Sequence, residues 1–139
     1  MVHALEQAHR VLRPRGHVAD LRPDSGTRRL PDVYCLIDGQ RLRAGAVQET
    51  MKIEDYAAAD RAVARVAERG LFGVVVRQRF RFRYYFDSPD LLEEFLAENW
   101  IGARLAADVR RRIRAVCRLD PSARLMIDEA VQLTVLAKI

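Results

Sequence analysis

Apolar positions recur along the chain at two spacings, and the switches between them mark out the elements. Over residues 2–13, Leu5, Ala8, His9 and Leu12 fall on one face at helical spacing. Pro14 stops that helix and Gly16 makes the turn. Residues 17–21 (HVADL) read as a short strand, and 22–31, rich in Pro, Asp, Ser and Gly, as a loop. The run VYCLI at 33–37 is of β type. Asp38-Gly39 follows it and favours a tight hairpin, since such turns need positive φ. Residues 41–47 then supply the returning strand, with Gly45 as its weak point.

Residues 54–69 predict a helix with Tyr56, Ala59, Ala62, Val63, Val66 and Ala67 as its apolar stripe, and Gly70 fits the position just past its end. Residues 71–86 predict a long strand that opens as VVV and then alternates. Arg77, Arg79, Arg81 and Arg83 point one way; Gln78, Phe80, Phe82, Tyr84 and Phe86 point the other. That alternation predicts one solvated and one buried face. Ser88 is a good N-cap and Pro89 a good first helical residue for a helix to about Asn99. A second helix is expected over 103–118, with Leu105, Val109, Ile113 and Val116 inward. Asp120-Pro121 breaks the chain, and 124–138 reads as extended. Its length matches that of 71–86, so the two should pair as an antiparallel ribbon.

A chain of 139 residues, half of them hydrophobic, predicts one globular domain with one core. No apolar run reaches the roughly 18 residues needed to span a bilayer, and MVHALEQAHR lacks the apolar centre of a secretion signal, so the chain reads as cytoplasmic and not membrane-bound. Cys35 and Cys117 are too few for a disulfide-stapled scaffold and read as buried thiols. The net charge is +5, and only Lys52 and Lys138 among the cations are not Arg. The cations are spread along the chain, which argues against nucleic acid as a partner.

Little catalytic chemistry is visible. His3, His9 and His17 lack metal-ligand spacing, and no Ser or Cys adjoins a base. Trp100 reads as core, and Glu93, Glu94 and Glu98 as a solvated helix face. The ladder Arg77, Arg79, Arg81 and Arg83 could track a polyanion, because alternate strand residues lie about 6.7 Å apart. Protection of a sheet edge by charge is the favoured reading.

One stretch carries a resemblance. ALEQAHRVLRPRGHVADLRPD is similar to the helix, turn and strand that follow the fourth sheet strand of class I S-adenosylmethionine-dependent methyltransferases. Arg10, Val11, Leu12, Arg13, Pro14 and Gly16 match the family's R-V-L-(K/R)-P-G-G, with Arg15 in place of the first Gly. FDSPDLLEEFLAENW and the closing VQLTVLAK also resemble the C-terminal region of some bacterial members. The resemblance implies an α/β fold with a mixed sheet, like the C-terminal half of a Rossmann-like methyltransferase. Residues 71–86 would be its sixth strand, and 124–138 an antiparallel seventh inserted beside the fifth, 17–21. No G-x-G pattern occurs, so the chain alone is expected to bind no cofactor and to carry no catalytic residue, although the family uses S-adenosylmethionine.

In a complete family member the strand ends would face the methyl acceptor. Asp20, Arg22, Arg83, Tyr84 and Tyr85 are therefore the candidate substrate contacts. The other reading of the same residues is a capped loop (Asp20, Arg22) and a closed core (the tyrosines). The implied function is that of a methyltransferase-like acceptor-side half. The alternative is a non-enzymatic module, a homodimer joined through the strand at 17–21, whose missing neighbour leaves backbone groups unpaired.

Overall fold

A computed structural model describes residues 1–24, 26, 30–49 and 53–139, with side chains in the last range from 55 onwards. The element order is α1 (Val2–Val11), β1 (His17–Pro23), β2 (Asp32–Ile37), β3 (Gln40–Gln48), α2 (Ile53–Glu68), β4 (Phe72–Phe86), α3 (Pro89–Asn99), β5 (Arg104–Leu105), α4 (Ala107–Leu119) and β6 (Arg124–Lys138). The protein is thus α/β, with four helices and a mostly antiparallel six-strand sheet among the described residues. β6 organises the sheet. It pairs antiparallel with β1 (His17 opposite Ala137 to Pro23 opposite Val131) and with β2 (Asp32 opposite Asp128 to Leu36 opposite Arg124), and it also pairs with β4. β2 and β3 form an antiparallel hairpin, and β3 pairs with β5.

Among the described residues no Rossmann-like parallel sheet is seen, and the paired strands are antiparallel where a mixed sheet was expected. Parallel neighbours come from βαβ crossovers. The chain has such a crossover in β1–α2–β4, but β6 lies between its two strands and turns both contacts antiparallel. The sense of the β4–β6 contact follows from its ends, where Ile139 donates to the Leu71 carbonyl while Tyr84 reaches Glu129.

The contacts gather into two compact units. One unit holds α1, β1, α2, residues 72–80 of β4 and 130–138 of β6. Leu5, Val63, Val66, Phe72 and Leu136 form its core, with Val2, Leu12, Val18 and Leu71 packed around it. The predicted helix faces deliver these residues. His9 sets its ring edge-on to Phe72 at 5.3 Å. The turn after α1 closes with Gly16 N–H donating to the Arg13 carbonyl at 2.9 Å. Lys138 Nζ then donates to the His9 and Leu12 carbonyls, a cation on the helix's negative end. Just past the end of α2 lies Gly70, whose φ of +71° suits Gly without strain.

β1 runs two residues further than expected, to Pro23, because its pairing with β6 continues. Of the loop expected at 22–31, residues 25 and 27–29 lie outside the described residues.

The other unit holds β2, β3, residues 81–86 of β4, α3, β5, α4 and 124–129 of β6. Its hairpin turns through Asp38 (φ +46°) and Gly39 (φ +76°), the paired positive φ values of a type I′ turn. Ser88 caps α3, its Oγ accepting from Leu91 N–H at 3.2 Å. α4 starts four residues later than expected. Arg104 and Leu105 first pair with Gln48 and Val47, and strand pairing there outweighs helix propensity. The core gathers Val33, Cys35, Val47, Phe86, Leu92, Ile113, Leu125 and Ile127. Trp100 joins it through Tyr84 (5.4 Å) and Phe95 (5.9 Å), as expected of a core aromatic. Cys35 is buried and Cys117 half-buried, both as free thiols.

Gly45 is more than a weak point in β3. A Cβ built there would overlap the Val109 side chain of α4. Gly45→Ala is therefore expected to destabilise the protein by about 1–3 kcal/mol, as overpacking does, seen as a lower urea midpoint. Gly45→Ala combined with Val109→Ala should recover part of that loss.

β4 departs from its predicted burial. Phe72 is buried in one core and Phe86 in the other, but every described residue from Val74 to Arg83 is exposed, whichever way it points. The strand is longer than the elements available to cover it, so period-2 patterning produced no buried face in its middle.

Candidate functional site

Asp20 and Arg22 are two apart on β1 and share a face with Val18, which packs on the helix core. They do not cap a loop. Arg22 Nε donates to Asp20 Oδ2 at 3.0 Å, Nη1 to the Tyr56 carbonyl at 2.9 Å, and Nη2 to Asp60 Oδ1 at 2.6 Å. Gln132 Nε2 of β6 adds a bond to the same Asp60 oxygen at 3.1 Å. The Arg22 side chain is only 10% exposed. One guanidinium thus ties β1 to two successive turns of α2, a use for which its planar fork is suited and a Lys is not. The network spends these donors inside the protein.

Arg83, Tyr84 and Tyr85 are consecutive on β4 and diverge. Arg83 Nε approaches Asp128 Oδ1 at 3.8 Å, longer than a hydrogen bond. Arg81 makes the real contact to that residue, with Nε to Oδ1 at 3.0 Å and Nη2 to the Asp128 carbonyl at 2.9 Å. Arg79 pairs with Asp24 at 3.3 Å. Arg79 and Arg81 therefore sit on carboxylates of the chain itself, which leaves fewer of the four ladder arginines for a polyanion. Tyr85 is half-exposed, with the Arg124 guanidinium 5.8 Å from its ring centre.

Tyr84 leads to the residue that sequence reasoning missed. Its ring packs among Phe82, Phe95 and Trp100, and its hydroxyl donates to Glu129 Oε2 at 3.5 Å. Glu129, on β6, is 7% exposed. Burial and then the nearby Glu49 push its carboxyl up to about 7, while Tyr84 and Arg81 pull the other way. Burial also raises Glu49, and Tyr84 is raised by burial and by Glu129. Glu129 is thus an acid poised to hold or lose a proton near neutrality, the range useful to general acid–base work. The thiols are less reactive than usual, since burial pushes Cys35 up to about 11 and raises Cys117.

The signal for Glu129 was present in MIDEAVQLTVL. Asp128, Glu129, Gln132 and Thr134 interrupt an apolar strand, and all four are buried. A polar residue in a buried strand calls for partners; Asp128, Glu129 and Gln132 have theirs, whereas the Thr134 hydroxyl has none among the described residues.

The two groups of candidates fall in different units, Asp20 and Arg22 in one and Arg83, Tyr84 and Tyr85 in the other. A groove of about 770 Å³ beside the start of α1 and along α2 is lined by Ala58, Ala59, Ala62, Arg61 and Arg65 and includes none of them. Among the described residues no His, Cys, Asp and Glu group could hold a metal, and no helix is long and apolar enough to cross a membrane. No protein-family model matches the chain, and neither the curated proteins nor the solved structures contain a match to it.

Proposed function

We propose that these 139 residues form a methyltransferase-like, acceptor-side half, which does not catalyse methyl transfer alone. The observation that carries the reading is the strand order β1–β6–β4 in the unit headed by RVLRPRG, with the last strand antiparallel between the other two. The resemblance implies that order for its fifth, seventh and sixth strands.

A second feature supports it. α1 and α2 cover one face of this sheet, the face of Val18 and Phe72. On the other face Leu21 and Val75 stay 56% and 58% exposed. Sheets of Rossmann-like proteins carry helices on both faces, so an uncovered apolar face suits part of such a fold. Arg83 and Tyr85, half-exposed, remain available for acceptor contact, whereas Arg22 positions β1 against α2.

Calorimetric titration with S-adenosylmethionine and S-adenosylhomocysteine tests this, with the mass in solution measured on the same sample. No binding heat is expected, for want of a Gly-rich phosphate-type loop. Saturable binding would show a cofactor site built by other residues and overturn the reading.

The open outer edge of β1, the last strand of the sheet path, favours one further reading: a non-enzymatic homodimer joined through residues 17–21. It predicts slow amide exchange along that edge. Rapid exchange there from a dimeric sample removes it.

A further inference from the structure

β4 is a second open edge. Among the described residues it pairs only with β6, so the outward N–H and C=O groups of a 15-residue strand have no partner strand. Its sequence is divided. Residues 71–76 (LFGVVV) are uncharged, and residues 77–83 carry four arginines. Val74, Val75 and Val76 are 45%, 58% and 40% exposed. These three β-branched residues are good strand formers with apolar surface left over on both faces of the strand.

The charge pattern restricts what can pair there. A second copy stacked parallel and in register would set each arginine against its own image. An antiparallel pairing centred on Arg79 would oppose Arg77 to Arg81 and Arg79 to itself. Like charges directly opposite one another destabilise a sheet. An antiparallel pairing centred on Val75 avoids this. Val75 then faces Val75, Val74 faces Val76, Arg77 faces Gly73, and Arg79 faces Leu71. Gly73 has only the Ile139 side chain near its missing Cβ, at 3.9 Å, which leaves room for the Arg77 stem.

We propose that β4 is a self-association edge, at which a second copy of this chain pairs antiparallel through Val74–Val76 about a two-fold axis at Val75. The axis stands normal to the sheet, so α1 and α2 of both copies lie on one side and the β1–β6–β4 strands of the two copies form one continuous sheet. The contact is isologous and closes as a dimer. It leaves β1 free, so it is compatible with the acceptor-side reading and competes with a dimer through 17–21. Use of both edges would give open filaments, not a discrete species.

Sedimentation equilibrium of the full chain, of Val75→Lys and of Ala19→Lys decides the matter. Both positions are exposed, and circular dichroism checks that each variant folds. The expected result is a wild-type dimer, a Val75→Lys dissociation constant at least about tenfold weaker, and an Ala19→Lys dimer unchanged. Amide exchange on the unaltered protein gives an independent readout, in which the outward amides of 72–78 slow as the concentration rises. A wild-type monomer at about 100 µM overturns the proposal. So does a dimer that survives Val75→Lys, and if Ala19→Lys alone dissociates it, the edge in use is β1.

Discussion

Glu129→Gln is expected to stabilise the protein above neutral pH by roughly 2 kcal/mol and to bring no gain at low pH. The folded carboxyl titrates at about 7, above its ordinary 4.5. Below 4.5 the group is protonated in both folded and unfolded chains, and its burial has no charge to penalise. Between 4.5 and about 7 the unfolded chain releases its proton while the folded one keeps it, so stability falls as pH rises. Above about 7 the folded protein holds a buried anion beside Glu49, and the loss is complete. The full shift corresponds to about 3 kcal/mol, reduced to roughly 2 because the carboxyl keeps some solvent.

Gln has the shape of the protonated acid and can still accept from Tyr84. Wild type and variant should therefore coincide near pH 4 and separate across the window, read as urea midpoints at several pH values. A constant gap would mean that the carboxyl is not the titrating group. Glu49→Gln removes a neighbouring charge that raises Glu129, so it should move the wild-type window to lower pH.

The sequence made most elements of this fold legible where local chemistry and tertiary packing agree. Asp38-Gly39, Ser88-Pro89 and Gly70 act through positive φ or an N-cap, properties of one or two residues, and each sits where its pattern placed it. The matched lengths of 71–86 and 124–138 foretold their pairing, because two long strands near the end of a chain have few other partners. Burial was less legible. FRFRYYF alternates as a half-buried strand does, but alternation says which residues share a face and not whether anything covers it. Phe80 and Phe82 remain 37% and 42% exposed for that reason.

The candidate site was legible only in part. Asp20 and Arg22 were visible as a charged pair at a strand end, but Asp60 and Gln132 come from segments 38 and more residues away, and no local pattern joins them. Glu129 was hidden differently. It reads as one polar position in a strand, and its unusual protonation arises first from burial and then from Glu49, with Tyr84 and Arg81 opposing, surroundings that only the hairpin and the β4–β6 pairing bring together.

Arg22→Ala should have the largest effect of any single substitution considered, a loss of about 3 kcal/mol or more. It removes the guanidinium that bridges Asp20 and Asp60 and takes one donor from the Tyr56 carbonyl. The Asp20 side chain is 12% exposed and that of Asp60 33%, so solvent can compensate the second but hardly the first. Arg22→Lys keeps the charge but offers a point donor where three acceptors lie around a planar fork, and about 1–2 kcal/mol should be lost. The informative variant is Arg22→Met with Asp20→Asn and Asp60→Asn. Removing the two carboxylate charges together with the guanidinium is milder than removing the guanidinium alone, because Asp20 and Asp60 then carry no charge to desolvate. Recovery of most of the stability in that triple variant would assign the loss to the charges of Asp20 and Asp60 deprived of this guanidinium. A loss below about 0.5 kcal/mol for Arg22→Ala itself would mean that the network is solvated and worth no more than a surface pair. Arg22 would then be free, as the sequence first suggested, to meet a ligand instead of holding β1 to α2.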